Sequence, residues 1–105
     1  MLEFGQEAVQ MARGRARGDL DRSREIRLAL ERLVVIVCEA AYRIPLNERA
    51  KHPKISWKGI VGMRQKLVHD YYKVDLDILW VTVVRNLPQL IHQLKPILAS
   101  GRSRR

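Results

Sequence analysis

Cysteine is almost missing from this chain of 105 residues. Cys38 is its one example, so no disulfide can form within the chain. It closes the apolar stretch Leu33–Val37 and reads as a small core residue rather than a nucleophile. Leu33 to Cys38 is also the longest apolar run, far short of the ~18–20 residues that span a bilayer. Met1-Leu-Glu-Phe-Gly-Gln-Glu7 lacks the charged-then-apolar layout of a signal peptide. Together these features predict a cytoplasmic protein. There is no glycine-rich phosphate loop, and His52, His69 and His92 lie far apart with no cysteine pair to join them. No metal ligand set and no cofactor motif are therefore expected.

Acidic residues are also scarce. There are 11 Asp and Glu against 20 Lys and Arg, a formal charge of +9. A balance this basic in a short chain points to a polyanionic partner: nucleic acid, an acidic protein or an anionic membrane. Six of the arginines fall between Arg13 and Arg27. They fit a track for RNA phosphates, a solvated face or a docking surface for an acidic protein equally well. A DNA-binding protein is the weakest of the readings, because no helix-turn-helix spacing with a recognition helix appears.

The apolar residues present recur every three or four positions, which is the helical period. A first short helix carries Phe4, Ala8, Val9 and Ala12 and stops at Gly14 and Gly18, with Asp19 or Asp21 placed to cap the next. The second is predicted from about Arg22 to Arg43, with a stripe of Ile26, Leu30, Leu33, Val37, Ala40 and Ile44, and Pro45 ends it. Ser56 caps a third helix that starts at Trp57 and frays near Asp70–Tyr72. Asp75 caps the last, which carries Leu76, Leu79, Trp80, Val83, Leu87, Leu90, Leu94 and Ile97 and is kinked by Pro88. Four amphipathic helices with short connections predict an all-α, antiparallel four-helix bundle in one domain, residues 1–98. A disordered basic tail is expected at 99–105. The first and third helices are short, so a homodimer is expected to cover an apolar face left open.

One segment concentrates reactive groups. Arg64, Lys66, His69, Asp70, Tyr71 and Tyr72 fall within nine residues near a helix end. Histidine takes or gives a proton near neutral pH, and the planar fork of arginine matches phosphate oxygens. Together they suffice for RNA cleavage without a metal: one group moves the proton of the ribose 2′-OH or the leaving 5′-oxygen, and a cation stabilises the pentacoordinate transition state. On the residues alone, an ordinary exposed basic helix end remains the stronger reading.

The surrounding residues change that balance. Arg64-Gln-Lys-Leu-Val-His69-Asp-Tyr71 resembles the Arg-x4-His-x-Tyr hallmark of HepT-like HEPN domain proteins. His52-Pro53, Ile55-Ser-Trp57, Ile60-Val-Gly-Met63, Val74-Asp-Leu-Asp-Ile78, Trp80 and Leu87-Pro88 resemble its surroundings, and Leu2-Glu-Phe4 and Glu39-Ala-Ala41 the first two helices. Cys38, where glycine is expected, and Tyr72, where phenylalanine is common, depart from it. The resemblance implies a HEPN helical bundle that dimerises, and a metal-independent RNA endonuclease acting as the toxin of a type VII-like HEPN/nucleotidyltransferase toxin–antitoxin pair. It implies RNA as substrate, a minimal nucleotidyltransferase antitoxin as partner and no cofactor. Arg64 and His69 would be catalytic and Tyr71 the residue silenced by adenylylation. Asp70, Lys66 and Glu39 are supporting candidates: Asp70 to orient His69 or cap the helix, Lys66 as a solvated or phosphate-steering charge, Glu39 as a weaker candidate for the cleft. The competing reading is a catalytically silent HEPN module that only binds a nucleotidyltransferase. On an ideal helix, residues five apart are turned by about 140°, so Arg64 and His69 share a face only if the helix ends before His69 or if two chains build the site.

Overall fold

A computed structural model describes residues 1–70 and 73–103, with side chains for 1–67 and 75–97. Helix α1 (Leu2–Ala12) ends where Gly14 turns the chain with φ of +79°, a left-handed conformation that favours glycine. A single turn, α2 (Asp19–Arg22), precedes α3 (Arg24–Arg43). Neither Asp19 nor Asp21 caps α3. The cap is Ser23, whose Oγ accepts the Ile26 N–H at 3.3 Å, while Asp19 is spent on the Ala16 N–H at 2.7 Å. Pro45 ends α3 as expected, and a short α4 (Leu46–Ala50) follows. Arg49 in α4 donates to the carbonyls of Ile44 (2.9 Å) and Tyr42 (2.6 Å), supplying donors that the end of α3 would otherwise lack.

Helix α5 (Trp57–Leu67) stops earlier than its pattern suggests. Val68–Asp70 (β1) pairs antiparallel with Lys73–Val74 (β2), Val68 opposite Val74. This two-stranded ribbon is a short addition to an otherwise helical molecule. The β-branched Val68 and Val74 favour an extended chain, and no helical stripe continues past Leu67 to hold Val68 in a helix. The Asp75 N–H donates to the Leu67 carbonyl at 2.7 Å and closes the ribbon against the helix end.

The last helix is continuous but not uniform. Asp75 caps α6 (Leu76–Val81) by accepting the Ile78 N–H at 3.0 Å; a π-turn then spans Thr82–Asn86, and α7 (Leu87–Ser103) follows. Pro88 has no N–H to give to the carbonyl four residues back, and the wider turn just before it absorbs that loss. The buried Thr82 hydroxyl donates to the Ile78 carbonyl at 2.7 Å, at the start of the same irregularity. Helix α7 passes Pro96 and reaches Ser103, beyond the Leu98 boundary where the basic tail is expected to begin.

Met1 and Leu2, Ile44, Trp57, and Leu94 and Ile97 meet at one end of the molecule. The starts of α1 and α5 thus lie beside the ends of α3 and α7, which makes α1, α3, α5 and α6–α7 an antiparallel four-helix bundle. The core phase of α3 differs from the predicted stripe. Leu30, Leu33 and Val37 of the stripe are buried, joined by Val34, Cys38 and Ala41, whereas Ile26, Ala40 and Ile44 are half-buried. An unbroken apolar run from Leu33 to Cys38 does not mark its own inward face; the packing of α1 and α5 does. The other helices bury Ala8 and Ala12, Ile60 and Leu67, and Leu79, Val83, Leu87, Leu90 and Leu94.

Two outcomes follow. Ser23→Ala should lower stability by about 1 kcal/mol, whereas Asp21→Ala, which removes an exposed ion pair with Arg17, should stay within about 0.5 kcal/mol; urea unfolding of both checks the reassigned cap. The Cys38 thiol is 3% exposed, and burial pushes its pKa above the ordinary value. Its contribution to stability is therefore intact below the ordinary thiol value of about 8.5 and is lost as pH rises above it, because the unfolded chain then ionises first. Native protein should react with iodoacetamide at least about tenfold more slowly than urea-unfolded protein at the same pH, with Cys38→Ser as the blank.

Candidate active site

The site is set by how α5 turns its faces. Ile60 and Leu67 point into the core, and Arg64, about 40° round from Ile60, emerges at the edge of the seam with α3. There its Nη1 lies 3.8 Å from Glu39 Oε1. The two side chains are 61% and 40% exposed, so this is a loose, solvent-screened pair that leaves the guanidinium fork open to a phosphate. Cys38, Glu39, Tyr42 and Arg43 of α3 face Val61, Arg64 and Gln65 of α5 across an open cleft of about 800 Å³. Two arginines against one glutamate make this cleft suited to an anion.

The sequence candidates separate in space. Arg64 and Glu39 come together. Lys66, two residues from Arg64 but about 200° round α5, lines a different groove with Lys54, Ser56 and Asn86. His69 and Asp70 lie on β1, past the helix end, and their side chains lie outside the described residues. Tyr71 lies wholly outside them. Because α5 stops at Leu67, the 140° separation of an ideal helix does not apply between Arg64 and His69, and the backbone no longer demands a second chain to unite them. Arg43 and Tyr42 are cleft residues that the sequence reading passed over. Their signal was spacing from Glu39 on one face of α3, legible only once Glu39 is known to face Arg64.

The arginine cluster proves partly structural. Arg17 pairs with Asp21 at 2.9 Å and reaches across to Asp77 of α6 at 2.7 Å. Arg22 pairs with Asp19 at 3.4 Å, and Arg15 Nε donates to the Met11 carbonyl at 2.9 Å. Three of the six thus tie the α1–α3 connection together, and a continuous track of six free cations is absent. Among the described residues no group of three His, Cys, Asp or Glu side chains could hold a metal ion, and no helix is long and apolar enough to cross a membrane.

The chain is similar to several known proteins. The chain is 43% identical over 70 residues to a protein named as a putative RNase in Caldanaerobacter subterraneus subsp. tengcongensis, covering 67% of this chain and 62% of that one. It is 37% identical over 67 residues to one named as a probable ribonuclease HepT in Thermococcus cleftensis, covering 64% and 61%. A protein named as a putative RNase in Methanocaldococcus jannaschii is 28% identical over 98 residues, 93% of this chain and 81% of that one. The chain thus spans less than two thirds of the length of the first two. No solved structure matches it significantly. The family model for HepT-like ribonucleases matches residues 1–97, nearly the whole bundle and both sides of the Arg64 cleft, and the chain belongs to the HepT-like ribonuclease family.

Proposed function

We propose that the chain is a metal-independent RNA endonuclease, the toxin of a HEPN/nucleotidyltransferase toxin–antitoxin pair. The observation that carries this reading is Arg64, exposed in an open cationic cleft five residues ahead of His69, in a chain of the HepT-like family. His69 withdraws the 2′-OH proton of the ribose, and the freed oxygen attacks the adjacent phosphorus. The bond to the 5′-oxygen breaks and that oxygen takes up a proton, leaving a 2′,3′-cyclic phosphate and a 5′-hydroxyl. Arg64 binds the scissile phosphate and stabilises its added charge in the transition state.

A homodimer belongs to the same proposal. Leu28 (48% exposed), half-buried Val35 and Tyr42 (70% exposed) lie seven residues apart along one face of α3, which runs into the cleft at Tyr42. An apolar row at that spacing is the kind of seam on which a second copy packs. Its closure would bring two Arg64 side chains toward one substrate. Adenylylation of Tyr71 by the antitoxin forms a bond from the phenolic oxygen to the α-phosphorus of ATP and releases pyrophosphate. The added nucleotide places negative charge and bulk beside the motif and repels RNA.

Purified chain should cleave RNA in EDTA. Arg64→Ala and His69→Ala should each lower the rate by about 10²–10⁴-fold, and Tyr71→Phe should cleave but escape silencing by ATP and the nucleotidyltransferase. Intact RNA after incubation with folded, unmodified dimer would overturn the reading in favour of a binding-only module. A monomer at micromolar concentration in analytical ultracentrifugation would remove the dimer.

A further inference from the structure

Helix α5 is flanked by two grooves. One is the Arg64 cleft. The other, about 260 Å³, lies between α5 and the π-turn with the start of α7, and nothing above assigns it a role. Its rim carries Lys54, Lys66, Asn86, Gln89 and Gln93, its floor is Ile60, Met63 and Leu90, and it holds no carboxylate. Among the described residues neither lysine is in an ion pair, and the Asn86 and Gln89 side chains make no hydrogen bond. Gln93 Nε2 donates to the Lys54 carbonyl at 3.1 Å, which fixes the rim.

The crest of α5 between the grooves is open midway along the helix. Gly62 lies there, and a Cβ built on it would meet no atom within 4 Å. Packing therefore does not require glycine at this position, and glycine weakens a helix interior. Its lack of a side chain does leave room for another chain to cross close to the α5 backbone.

We infer that the Lys54–Lys66 groove is a subsite for one nucleotide of single-stranded RNA, whose strand crosses α5 over Gly62 from the Arg64 cleft. This rests on the ribonuclease reading above and deepens it. Lysines offer point charges to phosphates, and amides present the paired donor and acceptor that read base edges. The aliphatic floor gives a base face an apolar surface to lie on. The volume is just under the ~300–1,000 Å³ of pockets for drug-sized ligands, and so suits one base. An acidic protein segment would need the lysines but not amides placed to tell one base from another.

The test uses full-length chain and 2′-O-methyl RNA, which binds but lacks the nucleophile, as dinucleotide and octanucleotide. Wild type should prefer the octanucleotide. Lys54→Ala/Lys66→Ala should shrink that preference about tenfold and reduce the slope of log K against log salt by about 1.4, at ~0.7 per single-strand phosphate. Asn86→Ala/Gln89→Ala should flatten differences among octanucleotides that vary in one base. Gly62→Leu should raise Tm yet weaken octanucleotide binding, a combination that damage to the fold cannot give. Unaltered preference and slope in the lysine variant overturn the subsite, even where Arg64→Ala abolishes cleavage and the ribonuclease reading stands. Lysine variants that keep RNA binding but lose binding to the nucleotidyltransferase overturn it in favour of a protein-docking groove. Wild type that neither binds nor cleaves RNA removes the ribonuclease reading itself, and the subsite with it.

Discussion

The seating of α5 between α3 and α7 is the contact on which the rest depends. Ile60 and Met63 meet Val34, Val37 and Cys38 of α3 and Leu87 and Leu90 of α7 around an apolar void of only about 30 Å³. The burial of Ile60 and Leu67 fixes rotation as well as position, because a turn of α5 about its axis would expose them and drive Arg64 inward. With Ile60 and Leu67 inside, Arg64 has one place to go: the seam with α3, beside Glu39. The same rotation sends Lys66 to the opposite groove and turns Gly62 outward. The chemistry of both faces of α5 is thus a consequence of two buried aliphatic side chains.

The irregular elements serve that arrangement. The π-turn at Thr82–Asn86 lets the last helix carry Pro88 without breaking, so that Leu79 and Val83 before it and Leu87, Leu90 and Leu94 after it stay in one core. It also places Asn86 on the rim of the second groove. The end of α5 at Leu67 matters most. Had the helix continued, Arg64 and His69 would have diverged around it; the ribbon instead redirects the chain at Val68, one turn after the arginine. The Asp75 N–H bonded to the Leu67 carbonyl ties that redirection to the start of the last helix.

Electrostatics divide the surplus of positive charge into two uses. Around the α1–α3 connection, Arg15, Arg17 and Arg22 are bound to local acceptors, and Arg17 reaches Asp77 to hold the connection against α6. At the end of α3, on α5 and just before it, Arg43, Arg64, Lys66 and Lys54 line open grooves. The charge of the whole chain signals an anionic partner, and the second set lines grooves that could receive one.

Much of the molecule was legible in the residues. Helical periodicity, the stops at Gly14 and Pro45 and the cap at Asp75 determine a helical chain of this order, because each acts within a few residues of itself. The segment Arg64 to Tyr71 stands out on composition and spacing for the same reason. What periodicity could not decide was phase. Leu33 to Cys38 is apolar on every side of α3, so its buried face was chosen by α1 and α5. The cap of α3 went to Ser23 because Asp19 had a nearer amide to accept. That Glu39 faces Arg64 while Lys66 does not is a relation between helices distant in sequence, and only packing fixes the rotation of one against the other.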